Sequence, residues 1–219
     1  MKLLLTSGGI SNDAIKKSFF NLVNKKPEDI SLAFIPTASN VEQGDKKEWL
    51  IKDLIDLKNL NLKSISIVDI SAVERKIWEP QLMEADVLFF EGGNTFHLME
   101  WVDKSGLEKI LPELLKTKVY VGVSAGSMIL SPDLLLNTLQ KLYKEDLKRT
   151  ENMNGIKFVD FYVLPHYNNS HFSKRTKENV LEATKDIKSK IYALDDNSAI
   201  EVIDGNTKII SDGDFLEVN

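Results

Sequence analysis

Lys118-Val119-Tyr120-Val121-Gly122-Val123-Ser124-Ala125-Gly126-Ser127-Met128 is the stretch on which the reading of the fold turns. Residues 119–123 are apolar and rich in β-branched side chains, the pattern of a strand buried on both faces of a parallel sheet. Gly122, Ser124 and Gly126 follow at the G-x-S-x-G spacing of a nucleophile elbow. Such a strand-to-helix turn needs small neighbours because its flanking backbones close on one another. It lifts the hydroxyl above the sheet edge and aims the N–H groups of the next helix at the space where an oxyanion forms. The competing reading is a tight turn that merely packs. A lone G-x-S-x-G does not separate the two, so the flanking sequence decides.

Upstream, Asp86-Val87-Leu88-Phe89-Phe90 is a second buried strand that runs into Glu91-Gly92-Gly93-Asn94-Thr95-Phe96. Paired glycines let a backbone N–H face a bound group with no side chain in the way. Beside a serine elbow they are a candidate second half of an oxyanion hole. Asn94 or Thr95 caps a helix carrying Leu98, Met99 and Val102, and a helix over 107–115 returns to the elbow strand. Nearer the N-terminus, a strand over 3–6 ends in Ser7-Gly8-Gly9. This turn lacks the full G-x-G-x-x-G pattern and reads as a plain turn rather than a phosphate cradle. A helix with Ile15, Phe19, Leu22 and Val23 follows, then a strand over 31–35. The loop 36–40 either lines a site at the strand end or simply connects. A helix with Trp49, Leu54 and Leu57 and an edge-like alternation over 62–70 complete this half.

Downstream, Ser131-Pro132 stops the short helix after the elbow. Residues 139–149 are charged and mixed and read as a solvated helix or loop. Residues 156–164 are strand-like and end in Pro165-His166-Tyr167. A helix over 173–187 offers Val180, Leu181 and Ala183 for burial. Short strands follow at 191–194, 199–203, 208–211 and 215–218, with hairpin turns expected at Asp204-Gly205-Asn206 and Asp212-Gly213. Alternating strands and helices without a linker or repeat predict one α/β domain over 1–219, three-layered around a mostly parallel sheet.

The chain has 219 residues, no cysteine and a net charge of −5. The absence of cysteine excludes disulfides, thiolate metal sites and cysteine nucleophiles. The acidic balance argues against a broad nucleic-acid surface. The apolar run at the N-terminus is too short for a signal peptide, and none elsewhere reaches membrane-spanning length. A cytoplasmic protein is expected.

A serine hydroxyl needs a base. Of His97, His166 and His171, His166 stands at a strand end on the sheet edge expected for Ser124. His97 falls inside a helix and His171 in the following loop. His166 and His171 have no nearby Glu at ligand spacing, so no metal site is expected. The base needs an acceptor on its other nitrogen, and Asp195 and Asp196 are equally placed for it.

Taken in order, Glu91-Gly92-Gly93-Asn94-Thr95-Phe96, Gly122-Val123-Ser124-Ala125-Gly126-Ser127, Pro165-His166-Tyr167 and Asp195-Asp196-Asn197-Ser198-Ala199 resemble the peptidase E and cyanophycinase family of serine peptidases, family S51. The resemblance implies a class I glutamine-amidotransferase-like (flavodoxin-like) fold and cleavage of short peptides at aspartyl bonds. It makes Ser124 the nucleophile, His166 the base, Asp196 the acid, and the N–H groups of Gly93 and Ala125 the oxyanion hole. Arg175 and Asn94 become substrate-binding residues. No cofactor is implied, the partner is a small peptide rather than nucleic acid or membrane, and a homodimer is left open. Three departures stand out. Glu91 replaces a glycine and brings a carboxylate that is expected to repel an acidic substrate. Asn137-Thr138 has no aspartate where peptidase E has an Asn-Asp pair. Arg175 and Lys177 share the region where peptidase E has its carboxylate-binding arginine. The alternative of a different class is a non-catalytic small-ligand-binding protein of the same fold. Glutaminase chemistry fails for want of an elbow cysteine.

Overall fold

The computed structural model describes residues 1–43 and 47–219. In the apolar strands, side chains alternate between two cores. Leu3 and Leu5 of β1 (Lys2–Thr6) point to one face and Leu4 to the other; Leu88 and Phe90 of β4 (Val87–Phe90) oppose Val87 and Phe89 in the same way. A sheet that is apolar on both sides must be covered on both sides. One face is covered by α1 (Asp13–Val23), through Ile15, Phe19 and Leu22, and by α2 (Glu48–Asn59), through Leu57. The other is covered by α3 (Arg75–Glu84), α4 (Thr95–Lys104) and α5 (Leu107–Leu114), together with most of the chain between 125 and 194.

With β2 (Ser31–Ile35), β3 (Ser64–Ile67), β5 (Val119–Val123), β8 (Ser198–Ile203) and β9 (Asn206–Ser211), the main sheet has seven strands in the order β3-β2-β4-β5-β1-β8-β9. The first five are parallel, and β8 and β9 are antiparallel additions on the β1 side. The parallel register sets the C-terminal ends of β1, β5 and β4 side by side. This fold is that of the class I glutamine amidotransferases. A second sheet, β10-β7-β6, joins β6 (Tyr162–Pro165), β7 (Ile191–Leu194) and β10 (Phe215–Val218). The elbow helix α6 (Ala125–Met128), α7 (Leu136–Tyr143) and α8 (Lys177–Thr184) fill the space between the elbow and that sheet.

Several expectations are corrected. Residues 139–149 are solvated only in part: α7 begins at Leu136 and buries Leu136, Leu139 and Leu142, while Lys141, Lys144, Leu147 and Lys148 are exposed. The strand expected over 156–164 starts only at Tyr162. Before it, Ile156 and Phe158 donate to the carbonyls of Ile129 and Leu130, so this backbone is satisfied by the exit of the elbow helix rather than by a sheet. In α8, Val180 is buried and Leu181 exposed. The hairpin at Asp204-Gly205 forms with both residues at positive φ, as a two-residue turn requires. Asp212-Gly213 makes no hairpin, because β10 leaves β9 and pairs with β7 in the second sheet. Helix α3 was not foreseen: it buries only Trp78 and Leu82 and carries Pro80 inside it.

Helix α6 packs closely on β4 at Gly126, where an added Cβ would lie 2.2 Å from the Phe90 carbonyl oxygen. Gly126→Ala is expected to cost about 3 kcal/mol from overpacking against backbone. Thermal melts should show a drop of roughly 6–12 °C for a chain of this size.

Candidate active site

Ser124 ends β5 with φ 47° and ψ −106°, a strained conformation for a residue with a side chain. The surroundings impose it. Ser124 N–H donates to the Thr6 carbonyl at 3.0 Å, Tyr120 Oη donates to the Gly126 carbonyl at 2.6 Å, and Ser127 Oγ lies 2.8 Å from the carbonyls of both Thr6 and Gly122. A Cβ at Gly122 would lie 2.6 Å from Gly126 backbone, so the flanking glycines of the motif are steric necessities.

His166 follows β6 at φ 61°, and its N–H donates to Ser7 Oγ at 2.7 Å. Its ring is sequestered, with Nε2 3.0 Å from Ser124 Oγ and Nδ1 2.5 Å from Asp196 Oδ1. Asp196 sits in the turn between β7 and β8, where the chain passes from the small sheet to the large one. Its carboxylate also accepts from Ser7 Oγ at 3.0 Å and from Asn169 Nδ2. Burial works against the Asp196 charge, yet the His166 bond, aided by Asn169 and Ser7, holds its pKa down to about 2. Burial lowers the His166 pKa. The Asp196 carboxylate opposes that shift, and the Arg175 charge adds to it. The imidazole is therefore neutral at neutral pH, the state a base needs.

Asp195, indistinguishable from Asp196 in the sequence, is occupied elsewhere: it accepts from Ser198 Oγ at 2.6 Å, Asn197 N–H at 3.0 Å and Asp214 N–H at 2.7 Å. His97 lies on α4 beside Trp101, and His171 is exposed.

The Glu91–Asn94 turn faces the elbow. Gly93 adopts φ 129°, and a Cβ there would lie 2.4 Å from the Ala38 carbonyl oxygen, so only glycine fits. Gly92 N–H donates to Glu91 Oε1 and Asn94 N–H to the Ala38 carbonyl, each at 2.9 Å. Gly93 N–H and Ala125 N–H donate to no acceptor among the described residues. Asn94 caps α4 by accepting from His97 N–H at 2.7 Å, and lines a polar cleft of about 300 Å³ with His97, Glu100, Asp146 and Arg149. The loop 36–40 thus backs the site through Ala38.

Glu91 is not presented to an incoming substrate. It is fully buried beneath the turn, and burial together with the nearby Asp53 charge pushes its pKa well up, so it brings no exposed negative charge to an incoming substrate. Arg175 is also buried, its guanidinium 3.6 Å from the Phe172 ring and 3.8 Å from the Tyr143 ring. Its Nε and Nη1 have no partner among the described residues. Phe172 in turn lies 5.0 Å from the His166 ring, and Tyr143 Oη donates to the Pro165 carbonyl at 2.8 Å. Lys174 and Lys177 are exposed. Ser7, Asn169, Tyr143 and Phe172 were missed by sequence reasoning. Only Ser7 carried a signal, as the polar residue that ends an apolar strand.

Comparison with known proteins identifies the family. Residues 3–210 match the model of peptidase family S51. The chain belongs to that family. It is 33% identical over 171 residues to the uncharacterized peptidase Lmo0363 of Listeria monocytogenes, covering 78% of this chain and 80% of that one. It is 30% identical over 109 residues to peptidase E of Shewanella oneidensis, covering 48% and 44%. Among solved structures, a peptidase E candidate from Listeria monocytogenes EGD-e superposes with a TM-score of 0.78 at 27% identity, over 96% of this chain and 98% of that one. A peptidase from an acI-B1 Actinobacterium shares the fold at 19% identity and a TM-score of 0.71, over 98% and 88%.

The low Asp196 pKa fixes the sign of an acid effect. A carboxyl whose pKa falls from 3.8 to about 2 on folding contributes stability that is present above 3.8 and lost as pH drops through 2. Asp196→Asn should therefore lose less stability than wild type between pH 4 and 2 in thermal melts. Equal losses would show that the carboxylate is not held this way.

Proposed function

We propose that the protein is a serine peptidase that hydrolyses short peptides, with an acidic residue preferred on the acyl side of the scissile bond. The observation that carries the reading is the unbroken row Ser124 Oγ, His166 Nε2, His166 Nδ1, Asp196 Oδ1, beside two backbone N–H groups that have no acceptor among the described residues. In the reaction, Ser124 Oγ attacks the carbonyl carbon as its proton passes to His166 Nε2. The carbonyl oxygen takes the negative charge between the N–H groups of Gly93 and Ala125. The imidazolium, steadied by Asp196, returns the proton to the leaving amine. Water then repeats the sequence on the acyl-serine, releasing the acid and restoring Ser124.

The acidic preference is supported by Arg175. A buried guanidinium with two unpartnered nitrogens one ring removed from His166 is a poor structural element and a good carboxylate receptor. Asn94, next in the chain to the oxyanion donor Gly93, is the second substrate contact in this reading. The reading places the protein in the cytoplasm with small peptides as partners, leaves a homodimer open, and needs no cofactor. Among the described residues no helix is long and apolar enough to cross a membrane.

A fluorophosphonate probe should label wild type, and Ser124→Ala should lose both labelling and about 10⁴-fold or more in peptide hydrolysis while keeping its fold. Labelling that survives in the alanine variant refutes the nucleophile. Because the His166 pKa lies below the usual 6.5, the acid limb of kcat/KM should have its midpoint below pH 6.5.

Aspartyl, glutamyl, leucyl and lysyl dipeptides compared in wild type and Arg175→Ala test specificity. Acidic substrates should lead by about 10-fold or more in wild type, an effect of the size of one charge-assisted hydrogen bond. That lead should collapse in the variant. An unchanged ranking would remove Arg175 from recognition and leave Ser124 untouched.

A further inference from the structure

Beneath the oxyanion turn lies a pair of carboxyl groups that the mechanism above does not use. Glu91, fully buried at the end of β4, accepts the Gly92 N–H on Oε1 at 2.9 Å. Its Oε2 is buried and receives no hydrogen bond from any described donor. The Glu91 side chain as a whole is paired with the carboxyl group of Asp53, on α2. Two carboxylates do not share a dry contact; one proton between them removes the repulsion and gives the orphaned oxygen a role. Burial pushes both groups up, Asp53 to about 6 and Glu91 well above the ordinary range, with the Asp53 charge adding to the shift at Glu91. The other charged groups facing the pair are Lys52, which draws Asp53 down, and Asp56 and Asp196, which push it up.

Asp53 also touches the other side of the site. A Cβ at Gly9 would lie 3.0 Å from its Oδ1, and Gly9 follows Ser7, which holds His166 and Asp196. One turn earlier on α2, the Trp49 ring would lie 3.9 Å from a Cβ at Gly92. The helix therefore braces both loops of the site at once.

We propose that Glu91 is a positioning residue for the oxyanion hole: as a carboxylic acid it accepts the Gly92 N–H with one oxygen and donates its proton to the Asp53 carboxylate from the other, which clamps the Gly92-Gly93 peptide so that the Gly93 N–H faces Ser124. The inference rests on the serine-peptidase reading. Two successive glycines have wide backbone freedom, and of three successive N–H groups the first is tied down by Glu91 and the third by Ala38. Only the middle one is left for the substrate. Loss of the bridging proton would set two negative charges against each other and free the turn, so the device works below the pH at which Glu91 ionises.

The test compares wild type with Glu91→Gln, Glu91→Ala and Asp53→Asn in probe labelling, dipeptide kinetics and melts from pH 5 to 9. Glutamine reproduces the acid form: its carbonyl accepts from Gly92 and its amide donates to Asp53. Glu91→Ala should lose about 10²-fold in kcat, the scale of one misplaced oxyanion donor, with little change in KM. Glu91→Gln should recover most of that loss and lack the alkaline decline of wild type. Asp53→Asn should shift that decline to a different pH. A folded carboxyl raised above its unfolded value adds stability at low pH that is lost as pH rises towards the folded value. Wild type should therefore lose more melting temperature than Glu91→Gln between pH 5 and 9, a readout that survives if the alanine variant fails to fold. Labelling and kcat unchanged in Glu91→Ala, or matching pH slopes in wild type and Glu91→Gln, overturn the clamp alone. A wild-type protein that neither labels nor hydrolyses overturns the peptidase reading and the clamp's assignment to an oxyanion hole with it.

Discussion

The closeness with which the turn after β5 approaches β4 governs everything at the cleft. Gly126 lies against the Phe90 carbonyl with no room for a methyl group, and Gly122 lies against Gly126 in the same way. That contact draws α6 down onto the strand ends and leaves Ser124 at a positive φ. The resulting strain is offset by hydrogen bonds that converge from outside the motif. Thr6 supplies a carbonyl to Ser124 and Ser127, and Tyr120 reaches forward to Gly126. Because β4 is also the strand that delivers Glu91 and Gly93, the same approach that strains the serine brings the second N–H group opposite it.

The site stands where two sheets meet. Three neighbouring parallel strands bring Ser7, Ser124 and Gly93 to one edge, as expected for ligand sites in open α/β sheets. His166 comes from the small sheet, and Asp196 from the segment that leaves the small sheet to enter the large one. Pairing of Pro165 with Leu194 sets the two turns side by side. Ser7 then bonds both, to the His166 backbone and the Asp196 carboxylate. A residue read from the sequence as part of a plain turn is thus the tie between the sheets.

What could be read in the sequence was whatever is written locally. The elbow, the paired glycines, the strand-end histidine and the apolar parallel strands each carry their signal within a few residues. Asp195 and Asp196 could not be separated because the difference lies in which way a turn faces, and that is set by Asp214 and Gly213 from the later connection between β9 and β10. Helix α7 was misread because its buried leucines, Leu136, Leu139 and Leu142, run on into a charged stretch, and the core they enter is made by the second sheet. The role of Glu91 was misjudged for the same reason. Proximity in the chain to a reactive turn says nothing about whether a side chain points into the cleft or under it, and the partner that receives it, Asp53, is 38 residues away in the sequence.

The charges around the cleft form a consistent set. Asp196 directs its hydrogen bonds to His166, Ser7 and Asn169, so its charge acts on Arg175 only without direct contact. Glu91 and Asp53 carry at most one negative charge between them while they share a proton, and it is held under the turn rather than in the cleft. Glu145, near Arg175, is committed to the N-terminus of α4 through Thr95, and burial raises its pKa to about 7. Arg175 is thereby left as a buried cation flanked by aromatic faces, which favour a guanidinium without neutralising it. Burying a charge without a full partner is costly, and the cost falls when an anion arrives. In the proposed reading, an acidic substrate side chain would supply that anion.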